Sequence, residues 1–303
     1  MKTLLLNFFF KLFDKDKYKK IKITSQINSD KLLFRDKYEN YIYKIQDNLK
    51  KKREISFLHS GHTGDIINIL PVLQYLSKTH TCKLYIQLDS PINSFYPDHP
   101  AGQVFINKKI YDMLFPLLKK QEYIHSIEVF KNQDIDINFD IIRELPIKLT
   151  FDSMKYGAHI SGVQPDLNQK FLSVDEHPTI KNKIVILRSL RYQNYLIKYS
   201  FLNNYEDIYF IGTKNEYTDL KKIIKNLNFY DCKNFLDMAQ VIKSCKLFIG
   251  NSSLGFTIAE GLKVPRLLEA YPANGSQHVH GQNGYDFYFQ AHFEKFFQSL
   301  YSK

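Results

Sequence analysis

The sequence predicts an α/β chain. It should form two doubly wound halves on parallel sheets, facing a cleft and preceded by a mainly helical lead-in. Three observations carry this. Short apolar runs alternate with amphipathic stretches from Glu54 onward. Two of those runs end in a glycine turn that opens directly into a helix pattern, at 59–65 and at 249–255. The alternation lapses near 158–182, where Gly162, Pro165 and Pro178 suit a connection, and then restarts. The expected division is a lead-in over 1–53, a first half over 54–170 and a second half over 171–303.

Residues 1–53 read as charged and helical, ending in Lys50-Lys51-Lys52-Arg53. Within them the apolar run Leu4–Phe13 is broken by Asn7 and Lys11 and is too short to span a bilayer. Asp14-Lys15-Asp16-Lys17 follows where a secretory signal would carry small residues. Two readings stay open: an interfacial helix backed by Lys17, Lys19, Lys20 and Lys22, or a helix packed on the protein's own core.

Ile55–His59 is a buried-strand run. Asp65–Ser77 repeats apolar residues at helical spacing, with Pro71 expected to start or kink the main helix. Lys83–Leu88 and Ser126–Phe130 read as strands, Asn107–Lys119 as a helix, and Ile135–Ile142 as a further apolar stretch. In the second half, Lys183–Leu187, Asp207–Ile211, Lys246–Ile249 and Arg266–Ala270 read as strands. Lys214–Leu227, Asn234–Ser244, Ser253–Leu262 and Phe287–Tyr301 read as helices. Ligands of such sheets bind beyond the carboxyl ends of the strands, so the cleft between halves is the expected site.

The composition narrows the function. Hydrophobic residues make up 44% and charged residues 24%, enough apolar material for more than one core. The net charge of +11 favours acidic partners such as phosphorylated sugars or anionic lipid. The basic residues are spread along the chain, and no RNP-like, zinc-finger or basic-zipper pattern appears, so nucleic acid is not the expected partner. Cys82, Cys232 and Cys245 are widely spaced and odd in number. That implies neither a disulfide framework nor a metal site and fits a reducing cytoplasm.

Chemistry concentrates in the two turns. In His59-Ser60-Gly61-His62-Thr63-Gly64-Asp65 the glycines let the backbone approach a ligand closely. Asp65 at the helix start is either a carboxylate for chemistry or only a cap. His59 and His62 flank the turn without an acidic third ligand at metal spacing, so no metal is expected. In Gly250-Asn251-Ser252-Ser253-Leu254-Gly255 a strand delivers a glycine, two hydroxyls and a helix N-terminus, a geometry that cradles phosphate. Glu260, two turns on, is placed to meet ribose or sugar hydroxyls. The turn-rich stretch Tyr271–Gly281 should lie at the cleft rim, where it could meet a nucleotide.

Together the two segments resemble nucleotide-sugar glycosyltransferases of the GT-B fold, with two Rossmann-like domains, and are most similar to the heptosyltransferases of glycosyltransferase family 9. The likeness rests on Gly64-Asp65-Ile66-Ile67-Asn68-Ile69-Leu70-Pro71 and on Phe248-Ile249-Gly250 through Val264-Pro265. The resemblance implies transfer of a sugar from a nucleotide-sugar donor to a hydroxyl of a cell-surface glycan of the lipopolysaccharide or capsule type. It needs no metal and no cofactor beyond the donor. Asp65 takes the place of the family's general base, and His62, Thr63 and Gly64 line the acceptor side. Donor phosphate would meet the amides of Ser252, Ser253 and Leu254, with Gly250, Asn251 and Gly255 shaping the turn. A basic partner is expected from Arg188, Arg191 or Lys198.

The chain departs from the family pattern in places. Ser252 stands where the family has an acid, and Leu254 where it has a glycine, with Gly255 one later. A family glutamate would fall near Gly212-Thr213-Lys214, where the nearest acid is Glu216. The turn at 250–253 is also similar to that of nucleotide-sugar 2-epimerases. An isomerase of that kind, or a non-catalytic sugar-nucleotide binder, is therefore the alternative. A lipid-linked acceptor would place the chain at the inner face of the plasma membrane.

Overall fold

The computed structural model describes residues 10–92, 100–145, 151–271, 273 and 275–302. Most of the Leu4–Phe13 run lies outside the described residues. The lead-in is helical from Phe10 onward. Helix α1 (Lys15–Leu33) starts at Asp14, whose carboxylate accepts the Lys17 N–H. It buries none of its residues. A π-helical turn (Phe34–Tyr38) leads to α2 (Glu39–Lys51), which buries Ile45. No helix among the described residues is long and apolar enough to cross a membrane.

The first half runs β1 (Glu54–His59), α3 (Thr63–Asn68), α4 (Leu70–Leu76), β2 (Thr81–Ile86), α5 (Lys108–Lys119), β3 (Ser126–Val129), β4 (Ile137–Asn138) and α6 (Met154–Ser161). Pro71 sits in the first turn of α4, where its missing N–H costs nothing, and the helix breaks before it at Ile69. Asn107 caps α5 as its sequence position suggests. The sheet order is β3-β2-β1-β4, all parallel. The stretch 135–142 divides into the short β4 and a 3-10 turn, Phe139–Arg143.

After α6, Gly162 takes the left-handed conformation that ends the helix, and no regular element follows until β5. The expected connection is thus present, but its first residues are helical and belong to α6. The second half runs β5 (Ile184–Leu187), β6 (Ile208–Phe210), α7 (Lys214–Lys221), β7 (Leu227–Phe229), α8 (Phe235–Lys243), β8 (Leu247–Asn251), α9 (Leu254–Leu262), β9 (Arg266–Glu269), β10 (Gly284–Phe287) and α10 (Gln290–Tyr301). Its sheet is also all parallel, in the order β10-β9-β8-β5-β6-β7.

Two sequence expectations are corrected here. The helix expected over 214–227 stops at Lys221, and Leu227–Phe229 is a strand. Residues 284–287 form the edge strand β10, and the closing helix starts only at Gln290. Both missed strands are short edge strands, too brief for a period-2 pattern to register. The central strands β5, β8 and β9 are buried along their whole length, as parallel strands covered on both faces must be.

The second sheet separates two cores. One face carries Ile184, Ile186, Phe210, Phe287, Phe293 and Phe297 under α10. The other face, with Val185, Phe248, Met238 and Phe256, is continuous with the core of the first half. The halves meet through helices: α3 packs on α9, and α5 packs on α8.

Candidate active site

In each sheet the strand order reverses beside the first strand, between β1 and β4 and between β5 and β8. Those switch points are where open parallel sheets hold ligands. Both glycine turns leave strands at these positions.

At the first switch point the chain passes from β1 through Ser60-Gly61-His62 into α3. Asp65 Oδ2 accepts the His62 N–H at 3.1 Å. Capping is therefore part of its role, but this bond uses only one of a carboxylate's four acceptor sites. Asp65 also lines a cavity of about 60 Å³ with His59, Asn68, Arg143, Ser153 and Tyr156. That volume suits about two waters, so a sugar would sit at its mouth and send only a hydroxyl-sized group inward.

Neither Gly61 nor Gly64 has a positive φ, so their value lies in close approach rather than in turn conformation. A Cβ on Gly61 would lie 2.5 Å from Arg143 Nη2, 2.5 Å from His59 Cε1 and 2.9 Å from Asp65 Oδ2. Three functional groups converge there because position 61 has no side chain.

A network holds these groups in place. Asp140 Oδ1 accepts the Ser60 N–H at 3.0 Å and Arg143 Nη1 at 2.8 Å, and Arg143 Nη1 also donates to Ser60 Oγ. His59 Nδ1 accepts the Gly61 N–H at 2.8 Å, which fixes the imidazole as neutral with its proton on Nε2. Burial pushes the His59 pKa below the ordinary histidine value; Asp140 opposes, the Arg143 charge adds to the fall, and Asp65 opposes. The Tyr156 hydroxyl is pushed up to about 12 by burial and by the charges of Asp65 and Asp152.

At the second switch point β8 ends in Asn251. The Asn251 amide clips β8 to the end of β5: its Oδ1 accepts the Ser189 N–H, and its Nδ2 donates to the Ser189 carbonyl, both at 2.8 Å. Ser253 is the N-cap of α9, but its hydroxyl turns back to the Asn251 carbonyl and caps nothing. The first-turn amides of α9 are thus left without a side-chain cap, as an anion-binding helix end requires. Gln277 lies over this end, with Oε1 accepting the Ser253 N–H at 3.3 Å and Nε2 donating to Thr257 Oγ1 at 2.7 Å. Beside it the Ser189 Oγ is buried without a hydrogen-bond partner. A buried unpaired hydroxyl costs roughly 1–3 kcal/mol, a cost that a polar ligand atom at this switch point would relieve.

The two turns come together where α3 packs on α9. A Cβ on Gly64 would lie 3.6 Å from the Thr257 hydroxyl of α9. The stretch 275–281 crosses between halves: the Ser153 N–H donates to the Ser276 carbonyl, and His280 Nε2 meets Asp152 Oδ2 at 2.7 Å. Burial alone would raise the Asp152 pKa, but the His280 hydrogen bond and charge, the Met154 N–H and the His278 charge bring it below the usual carboxylate value. Arg191 stands in the same space. Its side chain is exposed, yet the surrounding walls desolvate the guanidinium enough to lower its pKa against the charges of Tyr192, Glu216 and Asp65. Water reaches a group in an open cleft while protein still displaces much of its hydration.

Some expected donor contacts are engaged elsewhere. Arg188 is not open to a ligand. Its guanidinium makes a buried bidentate pair with Glu269, at 2.6 and 2.8 Å, over the ring of Tyr199. Burial lowers its pKa, but Glu269 and Tyr199 raise it further, and the group is a charged brace. Glu260 is likewise consumed: its oxygens accept from Lys263, Arg266 and the His280 N–H inside the protein, not from a sugar. Lys198 is exposed, and its backbone is tied to Gln290 at the start of α10, the helix on the other face of the sheet. Gly212 and Thr213 end the β6 loop, where Thr213 and Glu216 form a reciprocal cap on α7 and Lys214 lies over Tyr217 and Phe229. Gly250 and Gly255 pack against Leu187 and Phe248, leaving no room for a Cβ.

Sequence reasoning missed Asp140, Arg143 and Ser189, whereas Gln277 lies in the 271–281 stretch expected at the cleft rim. Asp140 and Arg143 immediately follow the two-residue β4, and Ser189 follows β5. Their signal was position at a carboxyl strand end, legible once the strand order is known. Among the described residues no group of three or more His, Cys, Asp or Glu side chains could hold a metal ion.

No family model matches the chain, and no curated protein does. Solved structures do. The family 9 glycosyl transferase from Veillonella parvula aligns with a TM-score of 0.52 at 10% identity, over 82% of this chain and 89% of that one. The ADP-heptose lipopolysaccharide heptosyltransferase II of Escherichia coli aligns at 0.50 and 10% identity, over 82% and 98%. The iron-containing dodecameric glycosyltransferase TibC of enterotoxigenic E. coli aligns at 0.50 and 12% identity, over 77% of this chain and 62% of that one. At such identities the likeness establishes the fold, the two-domain GT-B architecture.

Proposed function

We propose that this chain is a glycosyltransferase. It takes a sugar from a nucleoside diphosphate donor and places it on a hydroxyl of a glycan, without a metal ion. The observation that carries this reading is the meeting of two unlike turns: Asp65 lines a hydroxyl-sized cavity, and Gly64 beside it packs against Thr257 of α9, the helix whose N-terminus is uncapped. The GT-B architecture shared with the aligned glycosyltransferases supports it.

In this mechanism the donor diphosphate lies on the first-turn amides of α9, with Ser189 Oγ and Arg191 as further donors. Gln277 gives up the Ser253 N–H when phosphate arrives. The acceptor hydroxyl enters from the Asp65 side and loses its proton to that carboxylate as it attacks the anomeric carbon. The bond to the diphosphate breaks, and its negative charge is met by the helix end and Arg191. Holding both reactants in one cleft lowers the barrier by orientation as well as by charge. A lipid-linked glycan of the lipopolysaccharide or capsule type, met at the inner face of the plasma membrane, is the acceptor class proposed. The basic residues of α1 and the exposed Ile23 and Ile27 beside them are the support for that surface contact.

The test is product analysis with a panel of ADP-, UDP-, GDP- and dTDP-sugars and a membrane glycan extract. A new glycoside with release of nucleoside diphosphate is expected. A rearranged sugar nucleotide, or binding without turnover, would overturn the reading in favour of an isomerase or a binding protein.

A further inference from the structure

Resting on the transferase reading, we infer that Arg143 is a second catalytic residue, whose Nη2 donates to the acceptor oxygen and stabilises the alkoxide that forms as Asp65 removes the proton. Three observations place it there. Arg143 lines the Asp65 cavity, and its Nη2 and Asp65 Oδ2 lie 2.5 and 2.9 Å from the same point beside Gly61. Its Nη1 is occupied by Asp140 and Ser60, so the guanidinium is held by one end and offers the other. Its plane is also packed against the Phe105 ring, 4.4 Å from the centroid, and that ring meets the edge of His62 at 4.9 Å. A guanidinium fixed on two sides loses little freedom when it binds, which is the condition for preorganised charge stabilisation.

The charges around the cavity favour a hydroxyl over an acidic group as the ligand. Asp65 and Arg143 are the charged side chains that line it, and His59 is neutral. An anionic substituent would meet the Asp65 carboxylate. A neutral hydroxyl gains from both sides, donating its proton to Asp65 and accepting from Arg143. In the step itself the O–H proton moves to Asp65. The oxygen lone pair forms the bond to the anomeric carbon, and the electrons of the breaking C–O bond leave with the nucleoside diphosphate. Arg143 exchanges no proton; it lowers the energy of the oxygen while charge is on it.

The test uses the full-length protein and a donor from the panel, with water and trifluoroethanol as small acceptors. Arg143→Ala is expected to lower kcat about 10²–10³-fold, the usual loss for one such donor. ADP affinity should stay the same, with part of the rate restored by added guanidinium or by Arg143→Lys. The loss should be larger with water than with the more acidic trifluoroethanol, whose alkoxide needs less help. Equal losses with both acceptors, or no loss, would overturn the inference and leave the transferase reading intact. If the wild-type protein turns over no sugar nucleotide with any acceptor, both fall together. Should Arg143→Ala melt early, Arg143→Lys and Asp140→Asn provide the same comparison, the second by releasing the guanidinium from its anchor.

Discussion

The turns at 59–65 and 250–255 share a plan and differ in one respect. Each leaves a central parallel strand, carries glycine and enters a helix. In the first, the helix end is closed by its own carboxylate, since Asp65 accepts the His62 N–H. In the second, the Ser253 hydroxyl turns away, and the helix end stays open except for the Gln277 amide resting on it. A closed end presents a carboxylate, and an open end presents bare N–H dipoles. Under the proposed function one local motif serves opposite sides of the group transfer, and the capping side chain decides which.

The sharpest way to break this comparison is Asp65→Asn. It keeps the size and some capping ability but removes the base, and loss of a general base typically costs about 10²–10⁴-fold in rate. Turnover should fall by that order while ADP affinity, read by calorimetry, changes little. Normal turnover would leave Asp65 as a cap only.

A large effect of another kind is expected from Arg188→Met. Removing one partner of a buried ion pair leaves Glu269 uncompensated and costs about 3–5 kcal/mol. Denaturant unfolding should show the loss. A stable variant with weakened nucleotide binding would instead return Arg188 to the ligand-binding groups.

Ser189→Ala separates ligand from scaffold on the open side. The hydroxyl has no partner in the free protein, so melting should be unchanged or slightly higher. A hydrogen bond to a charged phosphate contributes about 1.5–3 kcal/mol. ADP should therefore bind roughly tenfold or more weakly. Unchanged ADP affinity would remove this hydroxyl from the site.

The smallest effect concerns pH. His59 has a lowered pKa when folded, so the unfolded chain binds more protons between that value and about 6.5. Stability should rise with pH through this window and be lost as pH falls through it. Asp152, also lowered, contributes stability above about 3.9 that is lost in stronger acid. His59→Gln should flatten the first limb of the stability curve and Asp152→Asn the second. Unfolding curves for each variant between pH 3 and 8, about that range, check both signs.

Much of the fold was legible because parallel strands are buried on both faces and write themselves as continuous apolar runs. Ile55–His59, Lys183–Leu187 and Lys246–Ile249 were found this way. Leu227–Phe229 and Gly284–Phe287 were not, since an edge strand of three or four residues has no pattern of its own. The positions of Asp65 and the 250–255 turn at carboxyl strand ends were legible from local sequence. Arg143 was not, because what makes it important is a strand pairing, Phe57 with Ile137, across a long sequence gap. Arg188 and Glu260 were misread for the opposite reason. Their residue types suited a ligand, but partners distant in sequence, Glu269 for one and the His280 backbone for the other, had claimed them.

The all-parallel pairing has a kinetic consequence. No hairpin can nucleate either sheet, because each parallel pairing waits for a crossover to close. Phe57 must find Ile137, and Ile184 must find Leu247, before β1 and β5 have neighbours on both sides. Such long loop closures slow refolding and leave apolar strand edges open meanwhile. Dilution from denaturant should therefore give slow recovery with concentration-dependent aggregation. The yield should improve most when protein is kept dilute, because the vulnerable species is the half-built sheet rather than the native chain.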